Sequence, residues 1–526
     1  MEKNKTILIL MSIVVLSTVL YNVEISNADA AFDIDSISSK LKEMVYPLTT
    51  TKAGNGFEDL QPLKEILKDV NILGMGEATH GTKEFFEMKH RMFEFLVEEM
   101  DYKAFAIEAE FGCHKIINDY ILHGEGDIEK VIKSMKFWTW STQEVADMIN
   151  WMKNYNQDPN NKEKIRFYGF DMQGIDNSLQ NLIKYLEKVD DSSELISKSI
   201  YFAAPDENKS TIVPLLEQTE NSFKENREEY ILKSSVEEYE LILQDLNTIN
   251  QNIKYSDSVP AQFSIDSQVS SESFSTMFNA RDYYMAENVK WIHDYEIKNY
   301  DNHKIMLWAH NGHISNHFPY YLCMGELLKN NFKNEYYSLG FDFYKGSFVA
   351  YGQARSDMRL GIIDIGEPKR DIFSSYFKET GYPISFLDFK TASADSNIKA
   401  WLSSEQLMYT IGDSLHEGYE FANTIPIESY DGIIYVEDTN AAESIYVNVL
   451  SSVRPVPTSL GKKSNVQKST EEENPASETE ASTAVEEASS SSFNPIIIVV
   501  TLFILILGFY IIKRNKNKNE DNNFPQ

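Results

Sequence analysis

Hydrophobic and polar positions alternate with two different periods along the central part of the chain. Short apolar runs predict buried strands, and the longer segments between them have the spacing of amphipathic helices. The predicted strands are Asn71–Met75, Ala104–Ile107, Lys164–Phe170, Lys304–Ala309, Tyr336–Phe341, Ser347–Tyr351 and Gly432–Val436. Predicted helices cover Thr82–Met100, a segment ending near Leu122, and about Phe278–Tyr300. This alternation predicts an α/β fold with a mostly parallel central sheet and flanking helices on both faces.

A long polar region interrupts this alternation of strands and helices. Residues 176–275 are rich in Glu and Lys and have a helical pattern, for example over Leu215–Asp245, with no convincing strand among them. We therefore predict an inserted helical region beside the sheet. The folded domain that contains it is expected to span residues 31–455.

The first 30 residues have the pattern of a secretory signal peptide. Two lysines in Met1–Thr6 precede the apolar run Ile7–Leu20, and Ala28-Asp29-Ala30 follows. This order of a basic start, an apolar stretch and small residues predicts cleavage after Ala30. The alternative is an uncleaved N-terminal anchor.

The C-terminal part of the chain has the pattern of a membrane anchor. Residues 456–494 are mainly Ser, Thr, Ala and Glu, a composition that cannot bury enough apolar surface to fold, so we predict a disordered acidic stalk. Residues 495–512 contain an uncharged apolar run and predict a C-terminal transmembrane helix. Because positive charge stays cytoplasmic, the basic tail 513–526 is expected inside the cell. The chain is thus predicted to be a single-pass protein of the cell membrane, with the lipid bilayer as a partner and the folded domain extracellular.

The charge and composition exclude several classes of protein. The chain has 49 Lys and Arg against 80 Asp and Glu, a net charge of −31, which argues against nucleic acid as a partner. Hydrophobic residues make up 42% of the chain, enough for a sizeable core. The two cysteines, Cys113 and Cys323, exclude a disulfide framework and a Cys-rich zinc site, and leave one bridge possible.

Candidate chemistry lies where the predicted strands end. The first strand runs into Gly74-Met75-Gly76-Glu77-Ala78-Thr79-His80-Gly81. A carboxylate beside a histidine fixes its tautomer and raises its basicity, and ligands of open α/β sheets bind at the carboxyl ends of strands. We therefore select Glu77 and His80 as site residues, with His80 expected to be poorly buried. The alternative is an ordinary helix N-terminal turn with a solvated His80.

Further polar residues follow the other predicted strands. Glu108 follows the second strand, Asp171 the third, and the segment His310-Asn311-Gly312-His313 the fourth. Each alone fits a surface or structural role, but together they predict a site. Arg91 and Arg281 are suited to binding an oxyanion or a carboxylate, although a surface salt bridge is the commoner role of an arginine. The chain lacks a Gly-x-Ser-x-Gly elbow, a Walker loop and a His-Glu-x-x-His motif, which argues against a common serine hydrolase.

Taken in order, these segments resemble the signature of the erythromycin esterase family. The resemblance extends over about residues 57–440 and is carried by Gly74–Phe86, Lys89-His90-Arg91, Glu108, Phe167–Met172, Arg281-Asp282 and Trp308–His313. It implies a carboxylic ester hydrolase that opens a small-molecule ester or lactone with activated water and without a metal or other cofactor.

The resemblance also implies roles for individual residues. His80 would be the general base, with Glu77 and Glu108 around it. His310 and His313 would stabilise or protonate the oxygen at which charge develops. Arg91, Asp171, Arg281 and Asn311 would support or bind the substrate.

Three questions remain open at the level of the sequence. The macrolide-resistance enzymes of this family are soluble, whereas this chain has a predicted signal and anchor. This difference argues against a macrolide as the substrate and leaves antibiotic resistance as one possible role. A metal-dependent hydrolase is an alternative, because Glu77, His80, Asp171, His310 and His313 include side chains that a divalent metal accepts. A non-catalytic cell-surface binding protein on the same fold is a further alternative.

Overall fold

The computed structural model describes residues 32–193, 209–258, 271–354 and 357–455. The predicted signal peptide, acidic stalk, transmembrane helix and basic tail lie outside these residues. Within the described ranges, no helix is both long enough and apolar enough to cross a membrane.

The described strands form a large mixed sheet and a separate two-stranded sheet. The large sheet contains β1 (Tyr46–Pro47), β2 (Ile72–Met75), β3 (Ala104–Glu110), β4 (Arg166–Asp171), β5 (Ile305–Trp308), β6 (Tyr336–Ala354), β7 (Asp357–Ile365), β8 (Ile384–Asp388) and β11 (Gly432–Thr439). The small sheet pairs β9 (Gln406–Tyr409) with β10 (Phe421–Thr424). In the large sheet the order is β1-β8-β11-β6-β2-β5-β3-β4, with β7 paired to β6.

The central strands of the large sheet run parallel, which brings their carboxyl ends to one edge. Strands β4, β3, β5, β2, β6 and β11 pair in parallel with their neighbours in this order. The antiparallel pairs lie outside this group, where β8 joins β11, β1 joins β8 and β7 joins β6. The prediction of a mixed α/β fold with a mostly parallel central sheet is therefore confirmed.

Helices cover both faces of the sheet. Their bounds are α1 Ile34–Met44, α2 Pro62–Ile66, α3 Lys83–Glu99, α4 His114–His123, α5 Ile128–Ser134, α6 Gln143–Gln157, α7 Asp176–Val189, α8 Lys209–Glu225, α9 Arg227–Lys233, α10 Val236–Ser258, α11 Ser271–Tyr300, α12 Asn311–Ile314, α13 Met324–Phe332, α14 Phe373–Lys378, α15 Phe389–Ala392, α16 Ser396–Leu402 and α17 Pro426–Ser429. Alternate residues of a strand point to opposite faces, so Trp308 of β5 packs in the core with α3 and α6, and Leu307 packs in the core with α11 and α13.

Between β4 and β5, the regular secondary structure of the described residues is entirely helical. Helices α7 to α10 have a core of their own, which includes Leu182, Phe223 and Leu246. Helix α11 then returns along the sheet and packs Met285 and Val289 against it. The long return helix carries Arg281 back to the carboxyl edge of the strands.

The structure differs from the predicted elements in two ways: two predicted strands are a single strand, and five further strands are present. The predicted strands Tyr336–Phe341 and Ser347–Tyr351 are one strand, β6. The segment between them pairs with β11 as far as Gly346, which adopts φ +132° and leaves no room for a side chain beside Thr439. Strands β1, β7, β8, β9 and β10 were not predicted. Cys113 and Cys323 are both buried and free, so the possible bridge is absent.

Candidate active site

The site begins in the turn between β2 and α3, which holds Glu77 and His80. A Cβ atom at Gly76 would lie 2.1 Å from the side-chain oxygen of Asn311, so this position requires glycine. Asn311 in turn bonds the backbone N–H and carbonyl of Phe341 in β6. This close packing fixes the turn after β2 against the turn after β5.

Glu77 is a fully buried carboxylate that accepts three hydrogen bonds. Its Oε1 accepts from His80 Nδ1 at 2.7 Å, and its Oε2 accepts from Lys89 Nζ and Trp308 Nε1, both at 2.7 Å. Burial disfavours its charge, but Lys89 and His80 outweigh burial and lower the pKa of Glu77 below its ordinary value. Burial lowers the pKa of Lys89 to about 8, although Glu77 opposes this shift. The pair stays ionised at neutral pH, with Glu77 as a fixed anion.

His80 is oriented by Glu77 as a proton acceptor. Because a carboxylate only accepts, Nδ1 of His80 carries the proton of this bond, and Nε2 of the neutral ring keeps its lone pair. Burial favours the neutral ring, but Glu77 and, more remotely, Glu108 and Asp413 raise the pKa of His80 above its ordinary value. The side chain is only 13% exposed, so the expectation of a poorly buried histidine is wrong. Packing near Trp140 explains this enclosure, with ring centroids 6.4 Å apart.

His310 has the opposite character to His80. Its ring centroid lies 5.1 Å from that of His80, and its backbone N–H donates to Glu108 Oε2 at 3.0 Å. Nδ1 of His310 accepts from the backbone N–H of Gly312 at 3.1 Å, so the neutral ring carries its proton on Nε2. Burial, together with His80 and His313, lowers the pKa of His310 to about 3, which keeps the ring neutral. Its buried Nε2 has no partner among the described residues and is available as a donor.

A buried ion network lies beside the two histidines. Arg281 Nη2 donates to Glu108 Oε1 and Asp171 Oδ2, both at 2.7 Å, and Nη1 lies 3.0 Å from His313 Nε2. His313 Nδ1 is 2.9 Å from Asp282 Oδ1, so both ring nitrogens of His313 are engaged. Burial opposes the charge of Glu108, but His313, Arg281 and His80 hold its pKa well below the ordinary range. The network fixes Glu108, and Glu108 in turn fixes the backbone of His310.

The structure brings together most of the residues selected from the sequence. Glu77, His80, Glu108, Asp171, Arg281, His310 and His313 form one cluster, which Asn311 supports from behind. Arg91 is placed differently, because its buried guanidinium pairs with Asp59 and with the carbonyl oxygens of Thr50 and Gly56. Three residues of the cluster were given no role from the sequence, namely Lys89, Asp282 and Trp308. The predicted helix Thr82–Met100 could have indicated Lys89, because it directs this side chain toward the end of the strand.

Metal coordination is a separate question for a cluster of acids and histidines. In the part of the chain that the structure describes, no group of three or more His, Cys, Asp or Glu side chains is arranged to hold a metal ion. The acids are instead paired with cations or histidine N–H groups, as in Glu77 with Lys89 and Asp171 with Arg281. The described side chains therefore do not fit a metal site.

A parallel sheet with a carboxylate–histidine pair and a second histidine at its carboxyl edge defines an α/β protein with an acid–base site. Comparison with known proteins is consistent with this class. The family model for erythromycin esterase matches residues 97–439, and the chain belongs to this family. The matched range includes Glu108, Asp171, Arg281, His310 and His313, and begins after Glu77 and His80.

Individual relatives extend the similarity to most of the chain. An erythromycin esterase type II of Escherichia coli is 25% identical over 441 residues, covering 77% of this chain and 98% of that protein. The protein YbfO of Bacillus subtilis (strain 168) is 25% identical over 424 residues, covering 76% of this chain and 90% of that protein.

Solved structures share the fold. A Bacillus cereus protein superposes with a TM-score of 0.67 at 23% identity, covering 79% of this chain and 100% of that one. A mutant of the erythromycin esterase EreC in its open conformation superposes with a TM-score of 0.53 at 14% identity, covering 75% and 96%.

Proposed function

We propose that this protein hydrolyses a small-molecule carboxylic ester or lactone with a water molecule that His80 activates. One observation carries the proposal. The ring centroids of His80 and His310 lie 5.1 Å apart. The free Nε2 of His80 can accept a proton, and the free Nε2–H of His310 can donate a hydrogen bond. A water bound to the first and a carbonyl oxygen bound to the second would be held for attack.

The reaction follows from these two ring nitrogens. Nε2 of His80 takes a proton from water as its oxygen bonds to the carbonyl carbon. The carbonyl oxygen gains negative charge and accepts a hydrogen bond from His310 Nε2–H. When the tetrahedral intermediate breaks its bond to the alkoxide, the imidazolium of His80 returns the proton to the leaving oxygen. The products are an acid and an alcohol, joined in one molecule if the substrate is a lactone.

The remaining residues act by holding these two rings. Glu77 fixes the tautomer of His80 and stabilises its imidazolium. Arg281 is bound by Glu108 and Asp171, so we assign it to the scaffold that holds Glu108 and His310 rather than to the oxyanion. His313 belongs to the same scaffold, because Asp282 and Arg281 occupy both of its ring nitrogens.

A hydrolysis panel tests this function. Purified wild-type protein, His80→Asn and the control His303→Asn are each offered alkyl, aryl and lactone esters. His303 is an exposed histidine that lies 3.8 Å from Asp301. We expect turnover of at least one ester by the wild type and by His303→Asn, and none by His80→Asn. Absence of turnover by the wild type, with tight binding to a surface glycan, would favour a binding protein instead.

The relatives suggest which carboxylic ester or lactone to test first. The Escherichia coli relative is named as an erythromycin esterase, which supports a macrocyclic lactone as one member of the panel. Mass spectrometry of erythromycin incubated with the protein would show a gain of one water if its lactone opens. An unchanged macrolide together with cleaved simple esters would place the substrate elsewhere in the ester class.

We further propose that the protein acts outside the cell on a membrane tether. The basic and apolar start of the chain, the uncharged run within residues 495–512 and the basic tail 513–526 support this topology. Protease added to intact cells should release a soluble fragment of about the size of residues 31–455. A fragment that stays protected until the cells are lysed would contradict the topology.

A further inference from the structure

A third polar group lies beside His80 and His310. It is the hydroxyl of Tyr321, in the loop between α12 and α13. A Cβ atom built on Gly312 would lie 2.8 Å from this hydroxyl oxygen and 3.4 Å from His310 Nδ1. The glycine between His310 and His313 therefore makes room for the tyrosine hydroxyl at the edge of the site.

The ring of Tyr321 is held in place by aromatic neighbours. Its centroid is 4.8 Å from that of Phe278 and 4.9 Å from that of Phe318, and 6.2 Å from the ring of His313. Aromatic pairs at such distances are well packed, so the packing of the ring fixes the direction of the hydroxyl. None of the hydrogen bonds that orient His310 and His313 uses it.

The chemistry of the site needs such a donor. An oxyanion hole usually offers two or more hydrogen bonds to the oxygen at which charge develops. His310 Nε2–H supplies one, whereas the nitrogens of His313 and the Nη atoms of Arg281 are already engaged. The Nε of Arg281 has no partner among the described residues, but its side chain is held by Glu108 and Asp171. Burial raises the pKa of Tyr321 well above its ordinary value, so the hydroxyl keeps its proton across the range in which His80 titrates.

We infer that Tyr321 is a further catalytic residue, whose hydroxyl donates the second hydrogen bond to the oxyanion beside His310. This inference rests on the proposed ester hydrolysis. No covalent bond to the tyrosine forms, and its proton stays on the phenol oxygen throughout. When the tetrahedral intermediate collapses, the oxygen becomes a neutral carbonyl again and the hydrogen bond weakens.

The test compares Tyr321→Phe with the matched control Tyr320→Phe. Tyr320 is the exposed neighbour in the same loop, and both substitutions remove one oxygen while the aromatic ring remains. With the ester that the wild type cleaves best, Tyr321→Phe should lower kcat by about 10²–10³-fold with little change in KM. Its thermal midpoint and the pH midpoint set by His80 should stay at the wild-type values, and Tyr320→Phe should have wild-type kinetics.

Two further variants, Gly312→Ala and His80→Asn, distinguish a failure of the role of Tyr321 from a failure of the proposed function. Gly312→Ala should also lower kcat, because its methyl group displaces the Tyr321 hydroxyl. Wild-type kcat in Tyr321→Phe, with no activity in His80→Asn, would overturn the role of Tyr321 and leave the proposed function standing. Loss of folding in Tyr321→Phe would assign the hydroxyl to stability and overturn the inference. A wild type that turns over no ester would overturn both.

Discussion

Nδ1 of His80 lies 2.7 Å from Oε1 of Glu77, three residues earlier in the chain. The other oxygen of the same carboxylate binds Lys89 from α3 and Trp308 from β5. The buried carboxylate of Glu77 thus connects His80, the proposed base, to helix α3 and to strand β5. The orientation of His80 therefore depends on the sheet edge as well as on its own turn.

This relationship predicts the pH dependence of the reaction. The base works when neutral, so the rate should rise with pH through the pKa of His80, at a midpoint above the ordinary value of about 6.5 because Glu77 stabilises the imidazolium. Glu77→Gln removes that negative charge, so the midpoint should move to lower pH, and the plateau rate should fall about tenfold or more as the ring loses its fixed tautomer. A profile of kcat/KM against pH measures both effects.

The control for that profile is Glu65→Gln, which neutralises an exposed carboxylate paired with Lys68. It should keep the wild-type midpoint. A midpoint that stays fixed or moves to higher pH in Glu77→Gln would show that Glu77 does not act on the group that titrates.

The fold and the site were predictable from the sequence to different degrees. Parallel strands buried on both faces give continuous apolar runs, so β2 to β5 were placed within a few residues. Strands β1, β8, β9 and β10 were missed because each has only two to five residues, and β7 was missed because it is partly polar and only partly buried. Glu77, His80, Glu108 and His310 were selected because polar residues directly after a buried strand must lie at its carboxyl end.

What the sequence did not show depends on contacts between distant segments. The partners of Glu77 include Trp308, which is 231 positions away in the chain. Tyr321 lies beside Gly312 because of the conformation of the loop that carries it. Arg91 and Arg281 had similar patterns in the sequence, and both are buried in ion pairs. Only the packing of α11 against β4 decides that Arg281 belongs to the cluster, and only the pairing with Asp59 removes Arg91 from it.

The ion network predicts a large effect of Arg281 on stability. Arg281→Met leaves Glu108 and Asp171 buried without their shared cation, and such a change costs about 3–5 kcal/mol. Urea unfolding followed by circular dichroism should show this loss. The control Arg359→Met removes an exposed arginine that pairs with Asp357, so it should change the free energy of unfolding by less than about 1 kcal/mol. Equal stability of the two variants would mean that the Arg281 network does not hold the site together.

The two cysteines give a prediction that needs no substrate. Cys113 and Cys323 are free and fully buried, and burial raises the pKa of both thiols above the ordinary value. Since the thiolate is the reactive form, the native protein should react negligibly with a thiol reagent at neutral pH, and denatured protein should titrate both thiols without prior reduction. A denatured protein that shows two thiols only after reduction would contradict the free cysteines.

The central claim is that His80 is the base that activates water, and chemical rescue tests it most directly. His80→Ala leaves a small enclosed space beside Glu77, into which imidazole can be added from solution. We predict that the variant loses about 10²–10⁴-fold or more of the wild-type rate, that imidazole restores part of it in a saturable way, and that substituted imidazoles rescue better as their basicity rises. A His80→Ala variant that keeps the wild-type rate, or that recovers only with a divalent cation, would contradict the account.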